Sequence, residues 1–227
     1  MAQTDSVARQ RIRTPRAAAV AGIAFSVLLT LAFVLVRIAV HDEPDEPGSW
    51  VADDAKRTAV TVALNLLPFA GIAFLWFIGV VRDRIGQGED RLFATVFLGS
   101  GLLLVAMLFV MGAIAGGLVA TTEEFPATEV WSFGRRVSYT LLTVYAMRMA
   151  AVFAISTTTL ASRLGLVPRW LAVLGLASGL ILLLSAGVVS WIEVIFPAWV
   201  FVFSVHILFA TLRTDEPESD GAAVTPS

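Results

Sequence analysis

Six apolar runs follow one another between Ala17 and Leu212, with short charged segments between them. Each is about as long as the roughly 20 residues that a helix needs to cross a bilayer. In hydrocarbon every backbone polar group must be satisfied within the structure, so a run of this length is stable there as a helix. The predicted spans are 17–40, 59–81, 92–120, 137–161, 169–189 and 193–212. The expected fold is therefore an all-α membrane protein, a six-transmembrane-helix bundle over residues 17–213. Residues 1–16 and the acidic tail 214–227 lack an apolar period and are expected to be disordered.

The composition agrees with that class. The chain is 57% hydrophobic and only 15% charged, with a mean hydropathy of +0.82, too apolar for a soluble domain. A net charge of −2 offers no basic surface for nucleic acid. There is no cysteine, hence no disulfide, thiol nucleophile or cysteine metal site. Four arginines precede the first apolar run, as in a secretory signal. The run is longer than a signal's apolar core and no small-x-small site closes it, so it reads as an uncleaved helix. Its Arg37 lies within a turn of the far end and is expected to snorkel to the interface.

Lysine and arginine counts give the orientation. Ten fall in the N-terminal segment, the 82–91 and 162–169 turns and Arg213, against four at Lys56, Arg57, Arg135 and Arg136. That asymmetry predicts both termini in the cytoplasm. The two acidic loops, 41–57 and 121–136, would then face outward, with Trp131 and Phe133 at the membrane interface. His41 among Asp42, Glu43, Asp45 and Glu46 has cation-binding chemistry, but an extended proline-containing loop gives it no fixed geometry, and it reads as a solvated face.

The fourth span carries Arg148 near its middle, where an arginine costs roughly 2.5–3.5 kcal/mol on insertion scales. At 100° per residue, Ser138, Leu141, Tyr145, Val152, Ser156 and Thr159 share its side of the helix, and Leu142, Met149 and Phe153 lie opposite. The expectation is that the Arg148 stripe faces the bundle and the Phe153 side faces lipid. Arg148 is then either a structural bolt, hydrogen-bonded to carbonyls or a carboxylate, or part of a ligand or ion pathway, lining an outward-opening cavity with Tyr145, Asn65, Glu193 and Ser156. Asn65 stands one turn before the helix-breaking Pro68 and is the expected neighbour of Arg148. Glu193 opens the sixth span and shares a face with Pro197, Val200 and Ser204. Gly112 and Gly116, and again Gly175 and Gly179, have the spacing that lets helix backbones approach closely.

Inventory removes several chemistries. A retinal Schiff base needs a lysine in the bundle, and Lys56 is in a loop. A bis-histidine haem needs two histidines at one depth, whereas His41 is at the surface and His206 in the sixth span. No His-Glu-x-x-His set exists for zinc, and Ser204 and His206, two apart, point to different sides of a helix. No catalytic residue, metal site or cofactor is assigned.

Gly79-Val80-Val81-Arg82-Asp83-Arg84-Ile85-Gly86 resembles the G-x-x-x-D-R-x-G loop between helices two and three of major facilitator transporters. Gln87 and Gly88 stand where that family has basic residues, and the chain has half its helices. Phe74 to Gly99, Arg148 to Thr159 and Val167 to Gly175 resemble recurring segments of uncharacterised multi-pass membrane proteins of high-GC bacteria. That resemblance implies a six-helix layout in a bacterial plasma membrane and no activity. Two function classes follow. One is a non-enzymatic membrane protein binding a small molecule, a lipid or a partner protein. The other is a small-solute transporter or transporter subunit working as a dimer. The partners expected are the lipid bilayer and either a second copy or a membrane partner protein.

Overall fold

The computed structural model describes residues 2–40, 53–85, 91–121, 129–185 and 191–213. They form helices and, among the described residues, no strand. Helix α1 spans Ala2–Val40, α2 Asp54–Ile85 and α3 Arg91–Thr121. Helix α4, Glu129–Thr140, runs through a π-helical turn, Leu141–Ala146, into α5, Met147–Arg163. Helix α6 is Arg169–Ser185, and a 3₁₀ turn at Ile192–Val194 leads into α7, Ile195–Arg213. Five stretches are long and apolar enough to cross a membrane: Ala19–Val40, Asp54–Arg82, Ala94–Ala120, Glu129–Arg163 and Ile192–Leu212. Helix α6 is apolar but shorter, at 17 residues. These are the helices of a membrane protein.

Helix starts follow local chemistry more than hydropathy. The Asp53 carboxylate accepts from the amides of Ala55 at 2.9 Å and Lys56 at 3.3 Å. That caps α2 five residues before the apolar run begins. Arg57 pairs with Asp54 at 2.7 Å in the same turn. Residues 2–16, expected to be disordered, continue α1 towards the N-terminus, because alanine, glutamine and arginine extend a helix already nucleated. The expected loop 121–136 is helical from Glu129 onward. Helix α5 ends on Gly165, at φ 67°. Leu166 N–H bonds to the Ala161 carbonyl at 2.9 Å and Gly165 N–H to that of Ser162 at 3.1 Å, so the last carbonyls are satisfied without a Cβ clash. The His41 segment, the 86–90 turn and the tail from 214 lie outside the described residues.

Each helix packs on its chain neighbours, and α7 closes back onto α1. Six rods thus form a ring around an aromatic centre. Phe74 stands at its middle, with ring centroids 4.4 Å from Phe25, 4.9 Å from Phe153 and 5.8 Å from Phe196. In lipid there is little hydrophobic drive between helices, so tight packing and small residues carry association. Tilted and edge-on ring pairs add about 0.5–1.5 kcal/mol each. A Cβ on Gly101 would sit 2.6 Å from Ile78 Cδ1, and one on Gly179 would sit 3.1 Å from the Ala151 carbonyl oxygen. Glycine is what lets α3 meet α2, and α6 meet α5, at those points.

Candidate functional site

The structure does not gather the five expected cavity residues. Phe153 is 0% exposed and inside the aromatic centre, whereas Tyr145 is 52% exposed. Phe153, expected to face lipid, thus packs inward, while of the stripe expected inside Ser138 and Ser156 are buried, Arg148 is half-buried and Tyr145 is exposed. Two physical reasons combine. The π-turn at Leu141–Ala146 holds more residues per turn, so 100° spacing does not carry across it. Burying a phenylalanine in a close-packed core also outweighs grouping hydroxyls that satisfy themselves locally. Ser156 Oγ donates to the Val152 carbonyl at 2.7 Å and Thr159 Oγ1 to that of Ile155 at 2.8 Å.

Arg148 is half-buried, and its Nη1 donates to the Val144 carbonyl of the π-turn at 3.0 Å. Asn65 is exposed and does the same on α2, its Nδ2 donating to the Thr61 carbonyl at 2.9 Å. With Pro68, Phe109, Gly112 and Gly116 it lines a groove between α2 and α3. Glu193 lines a different hollow. The contact expected between Arg148 and Asn65 is therefore replaced by a bond from each to its own helix. His206 is half-buried and edge-on to Trp170, ring centroids 6.1 Å apart.

The hollow that Glu193 lines is the better site. It is a vestibule of about 340 Å³ at the end of the ring where α1 finishes and α2 begins, within the size range of small-molecule pockets. Its floor is aliphatic, from Ala32, Ala63, Leu67 and Met111. Its polar groups are Arg37, Arg135, Ser138, Tyr139 and Glu193, beside Trp131 and Trp191.

Those polar groups are incompletely satisfied. The Arg37 guanidinium carbon lies 5.1 Å from the Trp191 ring centroid, and that of Arg135 lies 5.8 Å from Trp131. A guanidinium within about 6 Å of a tryptophan ring centroid is attracted to the ring face. Arg37 Nε is buried without a hydrogen-bond partner among the described residues, and so is Ser138 Oγ. Ser138 is only 9% exposed. Leaving such a group unpaired costs about 1–3 kcal/mol. Trp191 adds a further cost: among the described residues it is the non-glycine residue with positive φ, 71°, a conformation worth roughly 1–3 kcal/mol of strain in a bulky residue.

Arg37, in the last turn of α1, lies over Trp191 on the neighbouring turn that opens α7, and Trp131 is buried in the bundle at 7% exposure instead of resting at the interface. The signal that would have found this wall was present. Trp131, Arg135, Ser138 and Leu142 recur at the i, i+4, i+7, i+11 spacing of one helical face. Reading 121–136 as a loop hid it. The expected inward face of the last span is in place: Pro197 is buried in the first turn of α7, where its missing N–H costs nothing, and Val200 and Ser204 are buried along it.

Comparison of the chain with family models, with curated proteins and with solved structures found no match.

Proposed function

We propose that this chain is a six-span protein of a bacterial plasma membrane, both termini cytoplasmic, that binds a small ligand in the Arg37–Ser138–Glu193 vestibule and performs no chemistry on it. The observation that carries this reading is Ser138. It is a buried hydroxyl without a partner among the described residues, in the wall of an otherwise largely apolar hollow. Thr157, Thr158, Trp199 and Ser204 also hold buried polar atoms without a partner among the described residues, but of these six groups Arg37 and Ser138 are the two that line the hollow, where a ligand can pair them. The strained Trp191 beside it supports the same reading, since backbone strain concentrates at ligand sites. The site differs from the one expected around Arg148, but the class of function is the same.

Native mass spectrometry of the protein, released gently from its membrane, tests this. The wild type should carry a small-molecule or lipid adduct at defined stoichiometry. Ser138→Leu, which fills the hollow from its wall, should lose it while keeping the melting behaviour of the wild type. Adducts identical in both would overturn the assignment. Transport is the second reading, favoured by a hollow lined by residues of the first, second, third, fourth and last spans. Ligand-dependent counterflow in proteoliposomes separates it from simple binding.

A further inference from the structure

We infer that the ligand is a single-chain amphiphile with an oxyanion head, a carboxylate or a phosphate, whose head meets Arg37, Arg135 and Ser138 and whose chain lies on the aliphatic floor. The inference rests on the binding reading above and specifies its substrate class.

The donors decide the head. The Arg37 guanidinium carbon lies over the Trp191 ring, 5.1 Å from its centroid. Arg37 Nε is buried without a partner among the described residues, and Nε with a neighbouring Nη makes the two-pronged grip that fits carboxylate and phosphate oxygens. Ser138 Oγ supplies a third, neutral donor on the facing helix. Arg135, also in the wall, adds a second positive charge. Two guanidiniums against the single carboxylate of Glu193 leave the polar end of the vestibule net positive. A cationic head is excluded by that balance. A sugar head would leave both guanidiniums without a counter-charge.

The floor decides the tail. Below the arginines the wall is Ala32, Ala63, Leu67 and Met111, with no polar group to meet a second charged or hydroxylated end. A volume of about 340 Å³ is near the lower limit for small-molecule pockets. It suits one chain and not the two of a phospholipid. The tryptophan rings flank the head, where an amphiphile passes from charge to hydrocarbon.

The test uses the full-length protein in a neutral glycosidic detergent, titrated with dodecanoate, dodecyl phosphate, dodecyltrimethylammonium, acetate and inorganic phosphate, with binding read from the shift in melting temperature and checked by native mass spectrometry. One or both dodecyl anions should bind, and which one separates the carboxylate from the phosphate. Arg37→Gln should weaken that binding at least about tenfold. Arg37→Lys should lose most of it too, because lysine keeps the charge but not the fork. Glu193→Gln should tighten it several-fold, which keeps the idea testable if the arginine variants fold poorly. Equal binding of the dodecyl cation would overturn the head assignment. Acetate or inorganic phosphate binding as tightly as the dodecyl anions would overturn the amphiphile. If no dodecyl anion binds while the native adduct still disappears in Ser138→Leu, this inference fails and the binding reading stands. An adduct that survives Ser138→Leu overturns both.

Discussion

The guanidinium of Arg37 rests 5.1 Å from the ring of Trp191, joining the last turn of α1 to the turn that opens α7. Arg37 belongs to the first span and Trp191 immediately precedes the last, and their contact ties the two ends of the ring of helices together beside the vestibule. Trp191 holds a left-handed backbone to make it. Strain of about 1–3 kcal/mol is set against a cation–π contact of about 0.5–2 kcal/mol. Trp191→Gly, which loses the contact and relieves the strain, should therefore change stability by less than about 1 kcal/mol. Trp191→Val, β-branched and just as strained, should be clearly worse. Thermal unfolding of the two variants in one detergent checks the order.

Phe153 and Tyr145 test which face of the fourth span is inside. Phe153 touches Phe74, Phe77, Phe97 and Phe196 through its ring. Phe153→Ala should cost about 3–5 kcal/mol. Tyr145→Ala, at an exposed position, should cost less than about 1 kcal/mol. The reverse order in a detergent-unfolding series would return the Arg148 stripe to the interior.

Arg148 should prove a structural residue. The acceptor its guanidinium uses is a carbonyl of its own helix, so Arg148→Leu removes a charge from an apolar span and leaves no charged partner behind. Its melting temperature should match or exceed that of the wild type, Arg148→Glu should fall below both, and adduct binding should persist in Arg148→Leu. Loss of the adduct in Arg148→Leu would move the site away from Arg37.

The two glycine pairs should behave differently. A Cβ on Gly175 would collide with Thr158 Oγ1 and lie 2.7 Å from Trp199 Nε1, whereas one on Gly116 would meet nothing within 4 Å. Gly175→Ala should destabilise. Gly116→Ala should be neutral, or stabilising by up to about 1 kcal/mol, if the α2–α3 groove faces lipid. If the groove seats a second copy, the same change should dissociate a dimer, visible as a mass shift in light scattering.

Orientation is open to a direct experiment because the chain contains no cysteine. Single cysteines at Ser49 and Thr128, both outside the described residues, should react with an impermeant thiol reagent in intact cells. Reaction only after lysis would reverse the topology.

The sequence by itself determined the class of the molecule and most of its helices. Apolar runs about 20 residues long have one stable form in hydrocarbon, and that constraint is local. The positions of Pro197 in a first turn and of Glu193, Val200 and Ser204 along one face were legible for the same reason. Tertiary structure decided which side of each helix is inside. In a soluble helix, polarity marks the outer face because water is outside. In a span, lipid is as apolar as the core, and serine, threonine, asparagine and even Arg148 can satisfy themselves on their own carbonyls. A polar stripe then carries no direction. Direction came from shape: phenylalanines from four helices fit one centre, and a π-turn re-phased the fourth span so that Trp131, Arg135 and Ser138 meet Arg37 and Glu193 around one vestibule. That meeting brings together residues from both ends of the chain, and only the closed ring of helices places them side by side.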